Sequence, residues 1–328
     1  MREAKAEDPA AGKHDGLHPP PAPQPPLAGC VGAGSKLAAR SSILSLFLLG
    51  GCAGGVLEPA GPVGEAERTI LFNALGIMLA IVVPVIVATL AFAWWYRASN
   101  TKARYLPDWA YSGRLEVVVW AIPILVIMFL GGITWIGAHD LDPPKPLASK
   151  TKPLEVQVVA LDWKWLFIYP DLGVASVNRL VVPVGVPVHF SLTSASVMNA
   201  FFVPQLGSMI YTMYGMATQL HLQADRPGVF HGLSAQFSGD GFPDMEFEVR
   251  AVPPEQFGAW VAAARRSGPV LDAQAYAQLA RQSLGVQPFT YRAVQPRLFS
   301  AVVTQQLPPG PGPTRGKPHV TVSPRTED

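Results

Sequence analysis

The chain of 328 residues is 49% hydrophobic and 15% charged, with a net charge of +2. So apolar a composition points to a membrane protein, and near-neutrality argues against nucleic acid or another polyanion as the main partner. The cysteines are Cys30 and Cys52, which excludes a disulfide framework or a thiolate-bridged metal centre further along the chain.

Residues 1–35 are rich in Pro, Ala and Gly, as in His18-Pro19-Pro20-Pro21, and read as a disordered stretch or a leader. Lys36 and Arg40 then precede the apolar run 43–49, followed by Gly50-Gly51-Cys52. A basic region, a short apolar region and small residues describe a secretory signal. A cysteine directly after that run resembles the bacterial lipobox, whose cysteine is acylated and becomes the mature N-terminus. Leu27-Ala28-Gly29-Cys30 fits the lipobox letters more closely but follows prolines in place of an apolar run. Cys52 is therefore the expected lipidation site, against the plainer reading of a free or buried cysteine in an uncleaved leader. Residues 1–51 are taken as leader and signal peptide, and 52–68 as an outer N-terminal segment.

Residues 69–96 carry no charge and end in Trp94-Trp95-Tyr96. A helix of that length exceeds the roughly 30 Å hydrocarbon core and spans it with some tilt; Pro84 is tolerated in a membrane helix. Residues 117–138 form a second span, with Pro123 inside and Trp120 and Trp135 toward its ends. The loop 97–116 holds Arg97, Lys102, Arg104 and Arg114 against Asp108 and, at its end, Glu116, so the positive-inside rule makes it cytoplasmic. The N-terminal segment and everything after the second span then lie outside, in agreement with an exported, lipid-anchored N-terminus.

Past the Pro-rich linker Asp142-Pro143-Pro144-Lys145-Pro146, residues 154–160 and 182–192 alternate as strands, with turns at Pro183, Gly185, Pro187, Pro227 and Gly228. Short strands at this spacing suggest an all-β sandwich or barrel over 139–252. After Pro253-Pro254 the pattern becomes helical: 255–266, then 272–282 with Asp272 as N-cap. A further short segment falls at 291–306. The helical extension is placed at 253–306 and a Pro-, Gly- and charge-rich disordered tail at 307–328.

Several stretches carry a family resemblance: Phe92-Ala93-Trp94-Trp95-Tyr96-Arg97-Ala98-Ser99-Asn100, Val118-Val119-Trp120-Ala121-Ile122-Pro123-Ile124, and Asp162-Trp163-Lys164-Trp165-Leu166-Phe167-Ile168-Tyr169-Pro170. To these are added Ser196-Val197-Met198-Asn199-Ala200-Phe201-Phe202-Val203-Pro204, Tyr214-Gly215-Met216 and Ser238-Gly239-Asp240-Gly241-Phe242. Together they resemble subunit II of the haem-copper oxidases, over about residues 52–303. In the cytochrome c oxidases of that family a distant His is followed by Cys-x3-Cys-x3-His-x2-Met. The same spacing here carries Asn199, Ser234, Ser238 and Phe242, with Met245 alone retained. A mixed-valence copper pair needs soft sulfur and borderline nitrogen donors; serine hydroxyls stay protonated and hard, and phenylalanine has no lone pair to give. The resemblance is therefore to the copper-less branch, subunit II of the cytochrome bo-type ubiquinol oxidases.

That resemblance implies a two-helix transmembrane hairpin followed by an all-β cupredoxin-like Greek-key domain with a short helical C-terminal extension. It implies no cofactor, metal or catalytic residue in this chain. The haems and copper would sit in subunit I of a complex that oxidises ubiquinol, reduces oxygen to water and translocates protons. This chain would brace subunit I and cap its outer face in a bacterial inner membrane, with the C-terminal domain periplasmic. Subunit I would be the main partner, with subunits III and IV and membrane lipid. Ubiquinol would be met through subunit I, and cytochrome c is not expected to bind. Two other readings remain: a cytochrome c oxidase subunit II with an altered metal centre, and a cupredoxin-like lipoprotein in oxidase assembly.

Trp163 and Trp165 are candidates for an interface with subunit I, with burial at a domain edge as the favoured alternative. Glu116, at the start of the second span, is either a contact to subunit I or an interfacial charge. Gln236 stands where the cytochrome c oxidases place a magnesium-binding glutamate; a neutral amide makes that metal doubtful. Met198, Met209, Met213, Met216 and Met245 read as packing rather than as cuprous-ion ligands. His189, His221 and His231 fall at no ligand position of the family and read as satisfied or exposed.

Overall fold

The computed structural model describes residues 55–104 and 106–312. The leader with Cys30, the expected lipidation site Cys52 and residues 313–328 lie outside the described residues.

Two long helices come first, α1 (Pro62–Trp95) and α2 (Gly113–Asp140). At about 1.5 Å per residue they reach about 50 and 40 Å, beyond the roughly 30 Å of hydrocarbon a spanning helix must cross. Both are long and apolar enough to cross a membrane, and Pro84 and Pro123 sit within them without ending them. Leu90, Phe92, Ile127 and Phe129 are among many exposed apolar side chains along the pair, a surface that lipid or other apolar helices must cover. The Arg97 guanidinium lies 5.0 Å over the Trp94 ring at the end of α1.

Helix α1 starts earlier than the apolar run suggests, because Pro62 is preorganised for a first helical turn. Its opening turns serve the β domain: Val63 and Gly64 are buried, Gly64 N–H donates to the Leu206 carbonyl at 3.1 Å, and Asp225 N–H donates to Ala60 at 2.8 Å. The Ser208 hydroxyl donates to Glu67 Oε1 at 2.7 Å. At Gly61 an added Cβ would lie 1.9 Å from the Gln223 carbonyl oxygen, an approach that glycine alone permits.

The outer domain is built from β1 (Leu154–Leu161), β2 (Lys164–Tyr169), β3 (Val174–Val177), β4 (Arg179–Pro183) and β5 (Val188–Ser194). It continues with β6 (Asn199–Val203), β7 (Gly207–Thr212), β8 (Thr218–Leu222), β9 (Gly228–Ser234) and β10 (Glu246–Val252). The later strands are β11 (Val270–Leu271), β12 (Phe289–Tyr291) and β13 (Ala293–Val294). One sheet runs β12-β3-β2-β1-β5-β8, another β4-β10-β9-β6-β7, and β11 pairs with β13. The two large sheets meet over an aromatic core of Trp165, Phe167, Phe190, Phe201 and Phe247. Trp165 and Phe201 lie 5.5 Å apart edge-on, and Phe201 and Phe247 stack at 5.1 Å. Each such ring contributes on the order of 2–3 kcal/mol by leaving water.

The first sheet is covered on its other face too. Val159, Leu161, Leu166, Ile168 and Val177 pack against Tyr276, Leu279, Leu298, Phe299 and Val302 of the C-terminal extension. Alternation is therefore legible only in the first half of β1, where Glu155 and Gln157 precede the part covered on both faces.

That extension is less helical than expected. It holds α3 (Pro254–Arg266), α4 (Ala273–Leu279) and α5 (Leu298–Val303), but also β11 to β13. Asp272 does cap α4, its Oδ1 accepting from Ala275 N–H at 2.8 Å. Strand β12 joins the first sheet antiparallel to β3, Phe289 opposite Val177. The stretch 307–312, expected to be disordered, is anchored: Gly310 N–H donates to Ala195 and Gly312 N–H to Asp162 Oδ2, both at 2.9 Å. Two backbone donors fixed by the domain outweigh the Pro-Gly composition that suggested disorder.

Candidate functional site

The five positions at the copper-ligand spacing converge at one end of the second sheet. Asn199 opens β6, Ser234 closes β9, and Ser238, Phe242 and Met245 lie in the loop before β10. A single 3₁₀ turn, Phe242–Asp244, carries the loop into that strand. The Ser234 N–H donates to the Met245 carbonyl at 3.1 Å, which pins the loop's end to its start.

The side chains bond to one another. The Ser234 hydroxyl lies 3.1 Å from Asn199 Oδ1 and 3.2 Å from the Gln236 carbonyl, both acceptors in its reach. Its oxygen also lies 3.4 Å from the Ala200 N–H, which donates to it. Asn199 Nδ2 donates to the Val197 carbonyl at 3.2 Å, and the Ser238 hydroxyl to the Met245 thioether at 3.7 Å. Asn199, Ser234, Ser238 and Met245 are all buried. Phe242 turns to Phe237, ring centroids 5.6 Å apart, and Phe237 is 70% exposed. Gln236 is half-buried in the same loop. Among the described residues no three His, Cys, Asp or Glu side chains are placed to hold a metal ion.

Trp163 fixes this loop from below. It sits in the turn between β1 and β2 with φ 62°, left-handed backbone that is uncommon outside glycine. Its indole N–H donates to the Ser238 carbonyl at 3.1 Å. Gly241 lies against the ring, where an added Cβ would come within 2.1 Å. Trp163 is 2% and Trp165 0% exposed, so neither indole has a free face for a partner. Of the two readings weighed for this pair, the structure describes the rings packed inside the β domain of this chain. Glu116 is exposed in the first turn of α2.

Beside Trp163 lies a polar cluster that sequence reasoning missed. The Lys164 ammonium is buried and donates to the carbonyls of Asp162 (3.2 Å) and Arg281 (2.7 Å) and to the Ser283 hydroxyl (2.7 Å). Burial pushes its pKa from 10.5 down to about 8, against the raising effect of the Asp162 charge. The Asp162 carboxylate accepts from the Ser196 hydroxyl and from Gly312 N–H. One signal was present: a lysine between two tryptophans in a strand-like segment stands where an apolar residue usually would. Of the methionines, Met245 is buried, whereas Met198, Met209 and Met216 are 40–48% exposed, so packing inside the domain describes only part of the set.

Comparison with known proteins places this frame. Residues 171–252 match the family described as "Cytochrome C oxidase subunit II, periplasmic domain", and residues 265–310 match the "COX Aromatic Rich Motif". Ubiquinol oxidase subunit 2 of Acetobacter aceti is 50% identical over 274 residues, which cover 83% of this chain and 89% of that one. The chain belongs to the ubiquinol oxidase subunit 2 family. Cytochrome bo(3) ubiquinol oxidase subunit 2 of Pseudomonas aeruginosa is likewise 50% identical, over 264 residues and 80% of each chain. Among solved structures, the periplasmic domain of subunit II of cytochrome oxidase of Bradyrhizobium japonicum is 27% identical, with a TM-score of 0.34, over 36% of this chain and 98% of that one. Within this family the chain is two apolar helices followed by a cupredoxin-like β domain.

Proposed function

We propose that this chain serves as subunit II of a membrane ubiquinol oxidase, in a complex that oxidises ubiquinol, reduces oxygen to water and translocates protons. The observation that carries the reading is 50% identity, over four-fifths of the chain, to proteins named as that subunit. The residues at the copper-ligand spacing do not fit a copper pair. Ser234 and Ser238 offer protonated hydroxyls held in internal hydrogen bonds, Asn199 an amide, and Phe242 no donor. No electron-transfer step is assigned to them, which suits a complex whose reductant arrives within the bilayer.

In this reading the haems and copper are held by subunit I, and α1 and α2 give this chain its grip on it, with Glu116 at the rim of the contact. Subunits III and IV and lipid complete the surroundings. The chain would sit in a bacterial inner membrane with residues 139–252 periplasmic and Cys52 acylated. The test is oxygen uptake by the complex, purified in mild detergent through a tag on this chain. Ubiquinol and reduced cytochrome c are offered separately. Turnover with ubiquinol alone is expected; turnover with cytochrome c would overturn the reading, and a preparation without haem would point to an assembly lipoprotein.

A further inference from the structure

The C-terminal extension does not cover the whole outer face of the first sheet. It packs Leu298 and Phe299 into one cluster with Ile168 of β2, whereas Gln157, in the first half of β1, is only half-buried. Between them lies a cavity of about 520 Å³, within the roughly 300–1,000 Å³ of small-molecule sites. Buried Ile168, Leu298 and Phe299 give it an apolar wall, and Gln157, Arg297 and Ser300 bring an amide, a guanidinium and a hydroxyl to the same space.

The lining is electrostatically one-sided. Arg297 brings a positive charge, and among the described residues no carboxylate lines the cavity. The Arg297 side chain makes no ion pair or hydrogen bond among the described residues. By contrast, Arg179 and Arg250 share Glu248, and Arg265 donates to the Leu172 carbonyl.

The backbone of Arg297 is a second sign. It stands at φ 63° and ψ 15°, the left-handed region, where a Cβ is crowded and glycine is at ease. Turning the chain into α5 is a task glycine performs with less strain. A long cationic side chain kept at such a position points to a use for that side chain.

The combination selects a ligand by its chemistry. A planar guanidinium pairs side by side with the two oxygens of a carboxylate, and the Ser300 hydroxyl and Gln157 amide are further donors for the same head. The apolar wall takes a hydrocarbon body out of water. We propose that this cavity binds a single-chain acidic amphiphile, a medium-chain fatty-acid carboxylate, with its head on Arg297 and its chain against Ile168, Leu298 and Phe299. The two helices that carry the domain are long and apolar enough to cross a membrane, which sets the cavity beside a source of such molecules. The site requires no oxidase activity, so its test and that of the proposed function fail separately.

Photocrosslinking of the full-length chain in phosphatidylcholine nanodiscs tests this. The probe is decanoate with a terminal diazirine, and labelled peptides are located by mass spectrometry. Peptides covering 166–173 and 294–300 should carry label that excess decanoate removes and decanol leaves, while label on α1 and α2 from probe in the bilayer is the reference. Arg297→Gln should cut the cavity label about tenfold or more, the loss of one charge-assisted pair, and Arg297→Lys should keep part of it. Arg297→Gly relieves the backbone, so it should melt no lower than the wild type and still lose the label, which separates loss of the site from loss of the fold. Label removed by decyl phosphate but not by decanoate would overturn the carboxylate assignment in favour of a phosphate head. Absence of cavity label in the wild type, removal by decanol as readily as by decanoate, or full label in Arg297→Gly overturns the site itself.

Discussion

Replacing Lys164 by Met removes a buried ammonium from the contact between the β domain and the C-terminal extension. Its three acceptors, the Asp162 and Arg281 carbonyls and the Ser283 hydroxyl, remain behind. The pH dependence follows from the lowered pKa of about 8 against an ordinary 10.5. Below about pH 8 the lysine is charged in both folded and unfolded chains, and its effect on stability is constant. Between about 8 and 10.5 the unfolded chain binds more protons than the folded one, so stability rises with pH. At about 1.4 kcal/mol per pKa unit, the wild type should gain about 2 kcal/mol between pH 7 and 9.5. Above that range the buried Tyr169, Tyr276 and Tyr291, whose pKa values burial raises, act in the opposite direction: the unfolded tyrosines ionise first and favour unfolding. Thermal unfolding of the full chain in detergent, followed by tryptophan fluorescence, is the assay. A gain of about 2 kcal/mol corresponds to a rise of roughly 4–8 °C for a domain of this size. Lys164→Met should lack that rise. If wild type and variant show the same pH dependence, the account of a charged, desolvated Lys164 is wrong.

Three further substitutions probe the frame. Gly61→Ala places a methyl 1.9 Å from the Gln223 carbonyl oxygen; backbone must move, and a loss of about 2 kcal/mol or more is expected in the same melting assay. Gly241→Ala brings a methyl within 2.1 Å of the Trp163 ring and should shift tryptophan emission toward longer wavelength as the indole leaves its buried seat, while the far-ultraviolet dichroism stays that of the wild type. Ser234→Ala removes the hydroxyl shared by Asn199 Oδ1 and Ala200 N–H; stability should fall by about 1–2 kcal/mol, and an unchanged melting temperature would show that the cluster contributes nothing.

The two long helices and the β character of the outer domain were legible because each is a local pattern: unbroken apolar runs, alternation and turn residues. Asp272 was legible for the same reason, since a cap depends on the three residues after it. What escaped depends on distant chain. Lys164 is covered by Arg281, 117 positions away, and no window around it reveals that cover. Strand β12 has three residues and owes its conformation to the edge of β3. The opening turns of α1 are helical outside the apolar run because the loop at Gln205–Ser208 receives them. For Trp163 and Trp165 burial at a domain edge and an outside partner both stayed open, with burial favoured, because a tryptophan pair carries no mark of which side will bury it.

The spacing that drew attention to Asn199, Ser234, Ser238, Phe242 and Met245 is better understood as a property of the loop than of a metal. Ligand geometry would require donors aimed at a common point; here the hydroxyls and amide aim at one another. The loop nevertheless keeps its path, because three contacts that use none of the side chains at the ligand positions set it: the Ser234 N–H on the Met245 carbonyl, the Trp163 indole on the Ser238 carbonyl, and the close seat of that ring on Gly241. A metal centre distributes several strong bonds over a few side chains, whereas this plug spreads hydrogen bonds of about 1 kcal/mol net each over backbone and side chain alike. Such a loop can lose its ligands and keep its shape, provided the tryptophan and the glycine beneath it stay.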